Sequence, residues 1–241
     1  MIGLSDRVII SSNGKSWFVR PSDGKLGTDL GLVDLEQIVG KEPGDVICTH
    51  SGRELSIRLP RSTDFFEYAK RSTAPMLPRD IGLVIGLTGM NKHDHVLDAG
   101  TGSGISAIFF AGVAAHVTSY ERRAESAEQA RLTVSDAGIQ NLEIISGDIL
   151  KETRMYDVVH LDLGLTKEHV IHAHSVLKPG GYLACYTPFF EQMALAFDSA
   201  KNLFVECSSY ECIMRDMDRG ERGTRPSTRV CHSGYITIMR K

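Results

Sequence analysis

Up to about residue 60, apolar positions come in short runs cut by turn residues; beyond residue 80 they fall into longer runs of alternating period. In the first stretch, residues 7–11 and 16–20 flank Asn13-Gly14, and Asn-Gly between two such runs predicts a tight hairpin. Pro43-Gly44 and Ser51-Gly52 punctuate two further apolar runs, 46–49 and 55–59. Strands this short and closely spaced predict a small barrel or sandwich, with a single helical turn over 34–39. Residues 60–78 read as a linker that is helical over 63–70. Thereafter helical spacing predicts helices at 80–88, 105–115, 123–137, 169–177 and 190–203. Strands are expected between them at 96–99, 117–120, 142–145, 158–161, 182–186, 204–210 and 234–239. Gly138 and the run Lys178-Pro-Gly-Gly181 supply the stop signals of two of the helices. The runs 142–145 and 158–161 are apolar enough for central parallel strands. Such alternation predicts an α/β fold: a Rossmann-like, doubly wound, mostly parallel sheet with right-handed crossovers. The expected division is a small N-terminal β domain over 1–62 and an α/β domain over 63–241.

Composition narrows the setting. With 42% hydrophobic and 24% charged residues the chain reads as a globular protein, and no apolar run reaches the length of a membrane span. Its start, Met1-Ile-Gly-Leu-Ser-Asp6, has neither the basic stretch nor the apolar core of a secretory signal. Five scattered cysteines without Cys-x-x-Cys spacing predict no disulfide framework and no zinc site. Reduced thiols in a cytoplasmic protein are the expectation; internal disulfides would fit only a hyperthermophilic source. The net charge of −3 conceals an asymmetry. Residues 212–241 hold seven basic side chains (Arg215, Arg219, Arg222, Arg225, Arg229, Arg240, Lys241) against Asp216, Asp218 and Glu221, a local +4 on a remainder of −7. A basic patch on an acidic chain fits a nucleic-acid footprint or a solvated loop, and charge alone does not separate them.

The chemistry concentrates in Val96-Leu-Asp-Ala-Gly-Thr-Gly-Ser-Gly104, where a strand runs through Asp98 into Gly100, Gly102 and Gly104 and on into a helix. Glycines let backbone approach a ligand closely, and the helix start offers free N–H groups. A dinucleotide loop needs Gly-x-Gly-x-x-Gly, which would put its third glycine at Ile105, so that template fails. Three acids follow at the ends of successive strands: Glu121, Asp148 and Asp162.

Asp98-x-Gly100-x-Gly102-x-Gly104 resembles the first motif of the class I S-adenosylmethionine-dependent methyltransferases. The resemblance implies that the loop backs onto the methionine part of the cofactor, that Glu121 grips the ribose hydroxyls and that Asp148 meets the adenine. Carried over position by position, the cofactor contacts are Asp98, Gly100, Gly102, Ser103, Gly104, Ile105, Ser106, Glu121, Asp148, Ile149 and Asp162. Nearly the whole chain is further similar to the tRNA (adenine-N1)-methyltransferases that act in the T-loop, in their archaeal form. The segment from Leu26 to Gly40 resembles their N-terminal barrel, and Arg71-Ser-Thr-Ala-Pro-Met-Leu-Pro-Arg-Asp80 resembles a linker ending in Tyr-Pro-Lys-Asp. Tyr186-Thr-Pro-Phe-Phe-Glu-Gln192 and Arg225-Pro-Ser-Thr-Arg-Val-Cys-His-Ser-Gly-Tyr235 match the two most specific segments. The implied partner is tRNA and the implied assembly a homotetramer, with no metal and no membrane.

Two positions depart from that pattern. The family writes Asp-x-Pro-x-Pro where this chain has Asp162-Leu-Gly-Leu-Thr166, and Leu77 replaces a frequent tyrosine. Adenine N1 carries a lone pair, so methyl transfer needs no nucleophilic cysteine. Asp162 is the candidate catalytic residue, offsetting the cation formed on the ring and accepting from its exocyclic amine. The target base would have to be unstacked into a pocket, with Arg and Lys, Arg222 and Arg225 among them, holding phosphates. Two other classes stay open on the residues: a cofactor- and RNA-binding subunit with weak or no catalysis, and a methyltransferase acting on a small molecule or protein carboxylate. His160 reads as a core histidine rather than a catalytic one. His169, His172 and His174 read as surface or packing residues, and Arg122 and Arg123 as solvated. Trp17 reads as barrel core, and Tyr120 as either core or a stacking surface.

Overall fold

A computed structural model describes residues 1–70, 74–220, 223–227 and 231–241. The chain divides into two compact units, Met1–Ala69 with Ser135–Gly138, and Lys70–Val134 with Ile139–Lys241.

In the first unit, strands β1 (Val8–Ser12) and β2 (Lys15–Val19) form the expected hairpin. Asn13 and Gly14 between them both take positive φ, at 51° and 77°, the conformation a two-residue turn of this hand requires. The hairpin β3 (Lys25–Thr28)–β4 (Gly31–Asp34) follows, absent from the sequence reading because Leu26, Leu32 and Val33 are too few to show a period. Strands β5 (Val46–Cys48) and β6 (Glu54–Arg58) complete a four-stranded antiparallel sheet of order β2-β1-β6-β5. One bridge, Val33 to Thr49, ties the second hairpin to it. Val8, Ile10, Val19, Val33, Ile47, Leu55 and Ile57 form its buried core, with Trp17 packed against it. Helix α1 (Ser62–Tyr68) is held by Asp64, which accepts from both terminal nitrogens of Arg58 at 2.7 Å and caps its own helix through Arg61 N–H.

The second unit opens with α2 (Pro78–Thr88) and then alternates β7 (His95–Ala99), α3 (Ile105–Ala111), β8 (His116–Glu121), α4 (Ala124–Asp136), β9 (Leu142–Ser146) and β10 (Tyr156–Leu161). It continues with α5 (Lys167–Val176), β11 (Leu177–Thr187), α6 (Phe190–Ala200), β12 (Glu206–Glu211), the hairpin β13 (Met217–Gly220)–β14 (Gly223–Pro226) and β15 (Tyr235–Arg240). Seven strands form one sheet of order β12-β15-β11-β10-β7-β8-β9. Strands β9 through β11 run parallel, while β15 and β12 pair antiparallel. The expected Rossmann-like, mostly parallel sheet with a small N-terminal β region is what forms. Helices α2 and α3 pack together on one face, α5 and α6 on the other. The order reverses between β7 and β10, where ligands of open parallel sheets bind beyond the carboxyl strand ends.

Several element ends differ from the sequence reading. Helix α3 stops at Ala111, not 115, because Gly112 ends it and the Asn141 amide takes the freed carbonyls of Ala111 and Ala114 at 2.9 and 3.1 Å. Helix α6 stops at Ala200, just before Asn202 at φ 64°. Strand β11 starts at Leu177, ahead of Pro179, with an irregular register absorbing the Pro-Gly-Gly run. The basic hairpin β13–β14 is wholly exposed, so no apolar period marks it in the sequence. Arg71, Arg222 and Arg229 lie outside the described residues.

Candidate active site

The carboxyl ends of β7, β8, β9 and β10 enclose a cleft of about 700 Å³ in the second unit. The glycine loop forms one wall. Gly100, Gly102 and Gly104 take φ of 91°, 54° and 84°, conformations that any side chain would strain. Gly100 has a second reason to be glycine: a Cβ there would lie 1.7 Å from the carbonyl oxygen of Asp162. The amide of Asp162 donates back to the carbonyl of Ala99 at 2.8 Å, so loop and acid share one backbone contact.

Glu121, at the tip of β8, is nearly buried. One carboxylate oxygen accepts from Gly102 N–H and the other from Arg123 N–H, each at 3.0 Å. The second oxygen also accepts from Arg123 Nε at 3.3 Å, so the remaining capacity for a hydroxyl lies on the oxygen bonded to Gly102. Asp148 caps the turn Ile149–Lys151 through Leu150 N–H, and its other oxygen stands 3.9 Å from Arg122 Nε. The ring of Tyr120 lines the cleft, its hydroxyl donating to Glu152 at 3.1 Å. Burial pushes the carboxyl of Glu152 up, but the hydrogen bonds from Arg154, Tyr156 and Thr153 hold it well below the usual carboxylate range. Asp162 lines the cleft at the tip of β10, and burial pushes its carboxyl up to about 6.

The structure therefore brings Gly100, Gly102, Glu121, Asp148, Ile149 and Asp162 to one cleft. It does not bring Asp98, Ser103, Gly104, Ile105 or Ser106 to that lining. Asp98 is 1% exposed beneath the loop, and Gly104 begins α3 against Ala130. Further lining residues, among them Ala74, Leu163, Gly164, Arg122, Arg123 and His169, were not read from the sequence as site residues. Arg122 and Arg123 border the cleft rather than only solvent, and His169 reaches it from the first turn of α5. His169 Nδ1 accepts from Thr166 N–H at 3.1 Å, so Nε2 carries the ring proton; burial holds its pKa down against the pull of Asp148. The readable signal was Thr166-x-x-His169, a helix-capping spacing.

The C-terminal segment converges on the same region. Gly234 packs on Tyr186, where a Cβ would fall 2.6 Å from the ring, and Arg79 donates to the Cys231 carbonyl at 3.1 Å. His232 bonds both Pro188 O and Glu211, and the acid raises its pKa. Tyr186 is pushed up to about 12 by burial first, then by the neighbouring charges of Asp80 and Asp162. Arg79 of the linker end, Pro188 after β11 and Cys231, His232 and Gly234 of the C-terminal segment thus meet around Tyr186, whose hydroxyl feels the charge of Asp162. Among the described residues no group of three His, Cys, Asp or Glu is placed to hold a metal, and no helix is long and apolar enough to cross a membrane.

A positive-φ glycine loop and three strand-end acids, Glu121, Asp148 and Asp162, thus meet at the carboxyl edge of a parallel sheet. The family model described as a methyltransferase domain matches residues 90–221, more than half of the chain. A tRNA (adenine(57)-N(1)/adenine(58)-N(1))-methyltransferase TrmI of Methanocaldococcus jannaschii is 29% identical over 97% of this chain and 94% of its own. The tRNA (adenine(58)-N(1))-methyltransferase TrmI of Thermus thermophilus is 32% identical over 75% of this chain and 74% of its own. A solved Thermotoga maritima structure described as a SAM-dependent O-methyltransferase superposes with a TM-score of 0.88 at 26% identity, covering 100% of this chain and 94% of that one. The chain belongs to the methyltransferase-domain family, in the branch that holds the TrmI enzymes.

Proposed function

We propose that this protein transfers a methyl group from S-adenosylmethionine to N1 of an adenine in the T-loop of tRNA. The observation that carries the reading is the placement of Asp162, an enclosed carboxylate in backbone contact with the loop that would cradle the cofactor. The cleft fits that cofactor by its donor set. Positive-φ glycines leave bare backbone for the methionine part, Glu121 offers the oxygen bonded to Gly102 to a ribose hydroxyl, and Asp148 with Ile149 lines the part of the cleft that would take the adenine. When bound, the cofactor supplies an electrophilic methyl on a sulfonium.

Everything else is the work of the chain. Asp162 accepts from the exocyclic amine of the target adenine, which orients N1 toward the methyl and offsets the positive charge that develops on the ring. Its raised pKa is compatible with this: a carboxylate that titrates at about 6 is still mostly ionised at neutral pH and attracts a cation in an enclosed site. The proton lost from the methylated ring passes to water, so no strong base is required. Tyr186 packs on Gly234 and feels the charge of Asp162, which supports the C-terminal segment as the neighbour of the acceptor base.

A homotetramer in the cytoplasm completes the proposal. Exposed Val205, Ile213, Met214 and Met217, at and beyond the edge strand β12, support self-assembly of this face. The deciding experiment is methyl transfer to unmodified tRNA followed by nucleoside analysis of the product. N1-methyladenosine is expected. Tight tRNA binding without product would favour a binding subunit, and methylation of a carboxylate or hydroxyl acceptor with none on tRNA would favour the O-methyltransferase description of the Thermotoga maritima protein.

A further inference from the structure

His160 lies at the centre of the sheet with no exposed surface, on a strand whose neighbouring residues Val158, Val159 and Leu161 are all buried and apolar. Its Nδ1 stands 2.7 Å from Oδ1 of Asp98, the residue paired with it across β7. The other oxygen of Asp98 bonds Ser119 Oγ on β8, and Ser119 Oγ lies 2.6 Å from Thr101 Oγ1. The direction of this chain follows from the inventory of protons. Ser119 gives its single hydroxyl proton to Asp98, so in the bond between the two hydroxyls Thr101 gives its proton to Ser119. On the opposite side His160 donates through Nδ1–H. Its Nε2 has no partner, and its ring meets the edge of Phe110 with centroids 5.0 Å apart. Among the described residues His160 is the basic side chain paired with this buried acid.

A buried polar group is costly unless bonded, and at this position an apolar residue would pack without that cost. The relay has a definite destination instead. It crosses three adjacent strands, β10, β7 and β8, and ends on Thr101, between the two glycines whose backbone lines the cleft. Two residues on, just past the end of β10, is Asp162. Loop and acid are therefore joined twice, by the backbone contact at Gly100 and by side chains beneath the sheet's edge.

We propose that His160 is a positioning residue for the methyl donor: through Asp98, Ser119 and Thr101 it pins the glycine loop in register with the strand that presents Asp162. This inference rests on the methyl-transfer reading above. Its effect falls on the cofactor side of the site, not on the tRNA.

The test is calorimetric binding of S-adenosylhomocysteine, with steady-state kinetics, on wild type, His160→Leu, His160→Asn and Thr101→Val. His160→Leu should weaken binding of this probe by about tenfold or more and raise KM for S-adenosylmethionine in step, while KM for tRNA stays within about twofold. An asparagine amide can place an N–H where Nδ1–H lies, so His160→Asn should return binding to within about threefold of wild type. Thr101→Val cuts the relay at its far end without touching the packing around Phe110, and should show the same cofactor-selective loss even where His160→Leu fails to fold. A wild type that does not bind the probe takes down the cofactor reading and this one together. A wild type that binds it, with variants that bind equally well, overturns the role of His160 alone. Equal damage in the Leu and Asn variants, or equal losses for cofactor and tRNA, would also overturn it.

Discussion

Asp162 sets burial against charge at a single residue. Burial raises its carboxyl to about 6, His160 draws it down and the charge of Asp98 pushes it up again. The native group thus holds its proton more tightly than the unfolded one, whose ordinary value is 3.8. Stability accordingly falls as pH rises from about 4 through 6, where the folded state must give up a proton that the unfolded state has already lost. Replacing Asp162 with Asn should stabilise the fold at pH 8 by roughly 1–3 kcal/mol, and denaturant titration at pH 4.5 should find most of that gain gone. Turnover moves the opposite way. On the proposed mechanism the ionised form offsets the ring cation, so kcat of the wild type should fall below pH 6, and Asp162→Asn should lose about a hundredfold or more in kcat. S-adenosylhomocysteine affinity should change only a few-fold. Unchanged turnover in that variant would remove Asp162 from the mechanism.

At the scale of elements, what the sequence showed and what it hid have the same physical origin. Helices and parallel strands that bury one face leave a period, and β7, β8, β9, β10 and α4 could be located from it to within a residue or two. Glu121 and Asp162 were legible as candidate site residues because each is an acid directly after a strand's run, and Asp148 because it follows the third strand after Ser146-Gly147. The exposed strands β13 and β14 and the short β3 and β4 bury too little to leave a trace. Asp98 is the instructive case. Its place in the motif marks it as important, but pattern cannot say whether a strand residue faces the ligand or the sheet interior, and the register with His160 and Ser119 turns it inward. The closest joint between elements is Gly100 against Asp162. Gly100→Ala would set a Cβ 1.7 Å from a backbone carbonyl at φ 91°, so the β7 loop and the end of β10 must part. A loss of about 2–4 kcal/mol in stability and about tenfold or more in cofactor affinity is expected. Gly82→Ala, in the exposed middle of α2 with nothing within 4 Å, should instead stabilise by about 0.5–1 kcal/mol. If the two substitutions behave alike in calorimetry, the close approach at Gly100 is not a constraint.

Over the whole molecule the charge distribution bears on how a polyanion could be held. The chain carries −3 overall, and without residues 212–241 it would carry −7. Long-range attraction cannot then deliver tRNA; contact has to come from a local basic surface whose range is one Debye length, about 8 Å at physiological salt. The hairpin β13–β14 offers such a surface. Arg219 and Arg225 are exposed on it; Arg225 stands across from Asp218 in the register, whereas Arg219 stands across from neutral Thr224. Arg219 should therefore be the stronger phosphate contact, since among the described residues no acid stands directly opposite it. Each phosphate contact contributes close to one unit to the slope of log affinity against log salt. Arg219→Ala should lower the magnitude of the tRNA slope by about 1, Arg225→Ala by less, and the double variant by between 1 and 2, with S-adenosylhomocysteine binding unmoved. Filter binding of tRNA across a salt series gives all three slopes. A double variant whose slope matches wild type would make the hairpin a solvated ornament and send the search for the RNA surface elsewhere on the chain.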